Sequence, residues 1–88
     1  MKYILVEDNT NIIKDYGNNY MQHNNSTIVL DNQDNVIYIY PDYNTGNSTI
    51  YGVGNIEDYV GNKYLYSGGL VSLNPDYEEL EAWCEYII

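Results

Sequence analysis

Phenylalanine and arginine are missing from this 88-residue chain, and cysteine, histidine and tryptophan occur once each. Without phenylalanine, aromatic packing falls to twelve tyrosines, whose hydroxyls must reach water or a hydrogen-bond partner. Without arginine, three lysines face thirteen acids and the formal net charge is −10. Such a balance favours solubility and repels nucleic acid and anionic membranes, so neither is expected as a direct partner. The lone Cys84 forms no internal disulfide. With one Cys and one His, zinc sites built on several such ligands are excluded, as is a Cys–His pair at local spacing. No run approaches the ~18–20 apolar residues of a membrane span. Tyr3-Ile4-Leu5-Val6 is too short for the apolar region of a signal peptide, so the cytoplasm is the expected compartment. Asn24, Asn25 and Asn47 fit the glycosylation pattern, but without a secretory signal these matches are chance in so asparagine-rich a chain.

Catalytic signals are equally sparse. Asp31-Asn32-Gln33-Asp34-Asn35 superficially resembles a calcium loop, but its sixth position is Val36 instead of Gly and its twelfth is Asp42 instead of Glu. Turn chemistry accounts for it better. There is no local nucleophile–base pair and no phosphate-cradling glycine loop, so the chain is expected to be no enzyme and to need no cofactor. Cys84 falls on the apolar stripe of a helical pattern and His23 in an asparagine-rich loop, both structural placements.

What is present centres on residues 27–51. Thr27-Ile28-Val29-Leu30 and Val36-Ile37-Tyr38-Ile39-Tyr40 are β-branched and aromatic runs suited to strands. The Asx-rich segment between them can reverse the chain. Pro41 ends the second strand, and residues 42–47 reverse the chain again before Ser48-Thr49-Ile50-Tyr51, giving a meander. Alternation places Ile37 and Ile39 on one face, expected inward, with Val36, Tyr38 and Tyr40 on the other. Lys2-Tyr3-Ile4-Leu5-Val6 reads as a first strand that joins the meander. Ile12, Ile13, Tyr16, Tyr20 and Met21 recur at helical spacing behind Asn9, predicting a short helix over 10–16; the alternative is a turn and another short strand. Asn55 to Val60 reads as one helical turn with Glu57 and Asp58 at its start. Lys63-Tyr64-Leu65-Tyr66 and Leu70-Val71-Ser72-Leu73 flank a Gly pair and read as a tight hairpin. Asn74 as N-cap, Pro75, and the stripe Tyr77, Leu80, Trp83, Cys84 and Ile87 predict a helix over 74–87, with Leu80 and Trp83 docking on the isoleucine face. The expected fold is therefore α+β, one domain over 1–88: an antiparallel sheet of about four to five strands, with the C-terminal helix and the shorter N-terminal one on one face.

On the predicted last helix, Glu78, Glu81 and Glu85 form one row and Asp76 and Glu79 another, with neighbours about 5–6 Å apart. That spacing is comparable with adjacent phosphates along a nucleic-acid strand, about 6–7 Å apart. A lysine- and arginine-lined groove fits such rows, and turn tyrosines Tyr43, Tyr59 and Tyr66 can stack on its arginines. In its size, acidity, lack of arginine and wealth of Asn and Tyr, together with these acid rows, the chain resembles small bacteriophage inhibitors of host defence, the anti-CRISPR and DNA-mimic class. The resemblance implies a stoichiometric protein that occupies the basic nucleic-acid-binding surface of a host defence effector and blocks nucleic-acid access. Asp76, Glu78, Glu79, Glu81, Glu85, Glu57 and Asp58 would be its bait. The rival expectation is a protein–protein adaptor or virion-associated structural component that binds through an exposed sheet edge or tyrosine patch, its charge serving solubility.

Overall fold

The computed structural model describes residues 2–77, and every regular element within them is a strand. In chain order these are β1 (Lys2–Glu7), β2 (Ile13–Gly17), β3 (Asn19–Gln22), β4 (Thr27–Leu30), β5 (Val36–Tyr40), β6 (Ser48–Val53), β7 (Tyr64–Ser67) and β8 (Leu70–Leu73). They form three antiparallel sheets with orders β2-β1-β6, β3-β4-β5 and β7-β8. The expected α+β fold gives way to an all-β one in the described residues. The N-terminal helix is replaced by β2 and β3, the turn-and-strand alternative. The single sheet becomes three. Residues 78–87 of the expected C-terminal helix lie outside the described residues; its first residues form a turn in which Tyr77 N donates to Asn74 O at 3.2 Å and Asp76 N to Asn74 Oδ1 at 3.1 Å.

β1 is the strand the fold is assembled on. Its run of three aliphatics, Ile4, Leu5 and Val6, is buried throughout, as befits a central strand covered on both faces. Ile4 and Val6 join Ile13 in a core flanked by Tyr16, Val53, Ile56, Tyr59, Tyr64 and Tyr66. Leu5 points the other way and is also fully buried. Pairing of β1 with β2 shifts between Leu5 and Val6: Leu5 opposes Asp15 while Val6 opposes Ile13, leaving Lys14 as a bulge. The extra residue rephases β2, so Ile13 and Tyr16, three apart, both reach the same core. That offset mimics a helical period, which is why the apolar spacing alone points to a helix here.

Tyrosine hydroxyls act as the mortar of this core. Tyr59 donates to the Ile13 carbonyl at 3.2 Å, and the Tyr16 oxygen accepts from Ile56 N at 3.0 Å. The residues between β6 and β7 therefore pack through Ile56 and Tyr59, and they do so as a turn with Asp58 at φ 56°, correcting the expected helical turn.

The reversals expected from Asx and Gly chemistry are present. The Asp31 carboxylate accepts from the backbone N–H groups of Asn35 (2.9 Å) and Gln33 (2.8 Å), and Asp34 takes φ 63°. Those two bonds hold the Asp31 carboxyl below the usual carboxylate range. Gly68 and Gly69, at φ 57° and 86°, form the two-residue turn of the β7–β8 hairpin, with Ser67 opposite Leu70. Two successive positive φ values match a type I′ turn, which glycine adopts without steric cost.

Candidate functional site

The β3-β4-β5 sheet has one face tied into the molecule along β3 and β4, and a second face that is open around Met21, Ile37 and Ile39 and closed at Leu30. Register sets which is which. Thr27 pairs with Tyr40 and Val29 with Tyr38, while Tyr20 pairs with Val29 and Gln22 with Thr27. Side chains paired across a sheet share a face, so these residues form one side. Thr27, Val29 and Tyr20 are buried.

Polar bonds fix that side inward. The Gln22 side-chain amide donates towards Ser48 Oγ (3.0 Å), Ser48 O (3.2 Å) and Asn44 O (3.3 Å), reaching β6 and the loop before it. Thr27 Oγ1 donates to Tyr43 O at 3.0 Å, and Ser48 Oγ to Asn44 O at 3.0 Å. Tyr20 OH donates to Asp15 Oδ2 on β2 at 2.8 Å. A Cβ on Gly17 would stand 2.9 Å from that hydroxyl, so glycine leaves the bond its room. The Tyr40 hydroxyl also faces Asp15; burial first, then the Asp15 charge, push it up to about 12. The same causes raise Tyr20, and burial followed by the Asp15 charge raises Tyr59.

The opposite side carries Met21, Ile28 and Ile39 in line across the three strands, with Ile37 beside Ile39. Ile37 is 61% exposed, Ile39 50% and Met21 49%. The expectation of inward isoleucines is thus reversed: the buried partners of Tyr38 and Tyr40 choose the tyrosine face as the inner one. A single-residue change of phase flips every side chain of a strand, and β5 has apolar residues on both sides, so its own sequence cannot set the phase. Val36 and Tyr38 are exposed as well, leaving β5 apolar and open on both faces along most of its length.

β5 is also an edge, hydrogen-bonded only to β4 among the described residues. Ile37 is an extra residue in that pairing, since Leu30 opposes Val36 while Val29 opposes Tyr38. Acids bracket the strand, with Asp31 and Asp34 before it and Asp42 just after. No lysine or arginine occurs between Lys14 and Lys63, so the sheet itself is free of cations.

Of the site residues expected from sequence, the described ones lie apart from one another, save the chain neighbours Glu57, Asp58 and Tyr59. Glu57 and Asp58 are exposed on the β6–β7 turn and Asp76 is exposed beyond β8. Glu78, Glu79, Glu81 and Glu85 lie outside the described residues, as do Leu80, Trp83 and Cys84. Tyr59 is a core residue, bonded to Ile13, and no free stacking platform. Tyr66 is half-buried, its ring 4.7 Å from that of Tyr51. Tyr43 is half-buried with its ring 5.6 Å from Tyr40, and its hydroxyl is raised by burial, then by the Glu7 and Asp42 charges. Of these three tyrosines, Tyr43 lies beside the β3-β4-β5 sheet, through Tyr40. Met21, Ile28, Ile37 and Ile39 are the residues sequence reasoning missed; the usable signal was the pairing of inward Thr27 and Gln22, visible only with register in hand.

Elsewhere, a groove of about 340 Å³ runs between the end of β6 and the β7–β8 hairpin, lined by Gly52, Val53, Ile56, Tyr66 and Val71 among others. His23 is exposed at the β3–β4 turn. The described residues contain no cluster of three metal-capable side chains and no helix long and apolar enough to cross a membrane. No protein-family model, curated protein or solved structure matches the chain.

Proposed function

We propose that this protein is a non-catalytic binding module that engages another protein through the open face of its β3-β4-β5 sheet, and that its negative charge selects a cationic partner. The observation that carries the reading is the row formed by Met21, Ile37 and Ile39, exposed and uncharged, with half-buried Ile28 between them, on a molecule of net charge −10. Isolated surface hydrophobes are ordinary, but a contiguous apolar patch with a polar rim marks an interaction surface. Its centre supplies buried area on association, while Asp31, Asp34 and Asp42 supply long-range attraction and orientation.

A phage-type inhibitor of a host defence effector is one form of this reading, acting in the bacterial cytoplasm. There the same face sits against a basic nucleic-acid-binding surface. The net charge favours it; the apolar row favours the adaptor or virion-associated form equally. Inhibition of a defence nuclease by the purified protein, relieved by salt, separates the first form from the second.

The test of the shared claim is the double variant Ile37→Asp, Ile39→Asp. Both positions are at least half exposed, so the fold should survive with a loss of about 1 kcal/mol, measured by urea unfolding. Proteins retained by the wild type from a bacterial lysate should be lost from the variant, and any one identified should bind it at least about tenfold more weakly, as for a contact-centre substitution. An unchanged set of retained proteins at unchanged affinity would remove this face from the function.

A further inference from the structure

The structure assigns to β5 the role of a template strand: we infer that the partner contributes an extended segment, apolar in alternation and basic at both ends, that adds to the sheet beyond β5. The inference rests on the binding-module reading above and specifies its mode. A strand at a sheet edge offers a row of unpaired N–H and C=O groups, and proteins that leave such edges idle usually blunt them with lysine, proline or inward charge along the strand, or with a bulge that twists the edge away. β5 carries no lysine, proline or charge within Val36–Tyr40; Pro41 follows its end. Its one irregularity, the bulge at Ile37, lies toward its start and leaves Tyr38–Tyr40 as the regular stretch. Both faces of the edge are apolar, Tyr38 on one side and Ile37 and Ile39 on the other, with Val36 set on the isoleucine side by its pairing with Leu30, all at least half exposed. An added strand would therefore find apolar neighbours for successive side chains pointing either way, which is how strand addition combines backbone affinity with side-chain selection.

Charge decides between occupants. β8 is also apolar and unpaired on one side among the described residues, but its turn residues, Ser67, Gly68 and Gly69, carry no acid, so acids stand at one end of it only, from Asp76 onward. β5 has acids at both ends, across a strand of five residues that spans about 17 Å at 3.3 Å per residue. A second copy of this chain would bring the same acids against them, whereas a segment with lysine or arginine about five to seven residues apart meets both.

The probe is a seven-residue synthetic peptide of alternating threonine and valine with a lysine at each end, compared with the same peptide ending in glutamates, each added to the full chain. Amide hydrogen exchange should slow at least about tenfold at alternate β5 residues with the lysine peptide. The glutamate peptide should give no slowing, and salt should weaken the effect, because the charges act across solvent. Failure of the lysine peptide to bind, or binding without added β5 protection, overturns strand addition while the Ile37→Asp, Ile39→Asp result still decides the binding-module reading. Outward β5 amides already protected in the free, monomeric chain would show the edge covered by the chain itself. Protection that rises with protein concentration alone, with a doubled mass in sedimentation, would show a second copy there. Either overturns the assignment to a basic partner segment.

Discussion

Leu5→Ala is expected to lower the unfolding free energy by about 2–5 kcal/mol, the range for truncating a buried leucine whose site cannot collapse. Leu5 is fully buried in the middle of the strand that joins β2 to β6, with Ile4 and Val6 buried on its other face. Removing its side chain leaves a cavity on one face of β1 while the rest of the strand is held by ladders on both sides, so relaxation is restricted. For a domain of this size each kcal/mol moves the melting temperature by about 4–8 °C, so a fall of roughly 10 °C or more is expected by calorimetry. Ile39→Ala, at a site half exposed, should cost less than about 1 kcal/mol. Equal losses at the two positions would mean that β5 is packed and β1 is not the centre of the fold.

The second large effect is alkaline unfolding. Tyr20, Tyr40 and Tyr59 all have hydroxyls raised above the ordinary tyrosine value, each by burial first and then by the Asp15 carboxylate, and Tyr40 is pushed up to about 12. In the unfolded chain the same phenols lose their protons near pH 10. Above that pH the unfolded state holds fewer protons than the folded one, so stability falls as pH rises; below about pH 10 both states keep the phenols neutral and the contribution is fully present. Urea unfolding should thus give flat stability from these groups up to about pH 9 and a steep decline between about pH 10 and 12. Tyr20→Phe should be less stable at pH 7, because Asp15 loses its donor at 2.8 Å, by about 1–3 kcal/mol for a bond to a charged acceptor. Its decline above pH 10 should be shallower, since one ionising group is gone, so the two curves should draw together. Parallel curves would mean that Tyr20 ionises alike in both states.

Much of the strand content was legible, and the reasons are local. The runs now forming β1, β4, β5, β6, β7 and β8 all announce themselves through β-branched and aromatic residues bounded by Asx, Pro or Gly, and the 31–35 and 67–70 reversals follow from side-chain bonds and positive φ at those residues. β2 was not legible because its bulge at Lys14 gives Ile13 and Tyr16 a helical offset. The partition into three sheets was not legible either. β5 and β6 are neighbours in sequence, yet the 42–47 loop is bound by Asn44, Asn47 and Ser48 into a polar junction that sends β6 to β1.

The functional face was hidden for a related reason. Alternation in Val36-Ile37-Tyr38-Ile39-Tyr40 says that two faces exist and nothing about which is buried. Hydrophobicity alone favours the isoleucines. The decision belongs to Gln22, Thr27 and Ser48, whose bonds draw the tyrosine side inward. The acids were readable as net charge; the described ones are divided between Glu7 and Asp8, Asp15, the 31–34 turn, Asp42, the 57–58 turn and Asp76.

The central claim is that the isoleucine side of the β3-β4-β5 sheet stands open to receive a partner. Paramagnetic broadening of methyl resonances by a soluble, neutral gadolinium chelate tests it on the full-length, partner-free protein. Ile37, Ile39 and Met21 methyls should broaden strongly while those of Ile4, Ile13 and Leu5 stay sharp. Sharp Ile37 and Ile39 signals would contradict the account at its root.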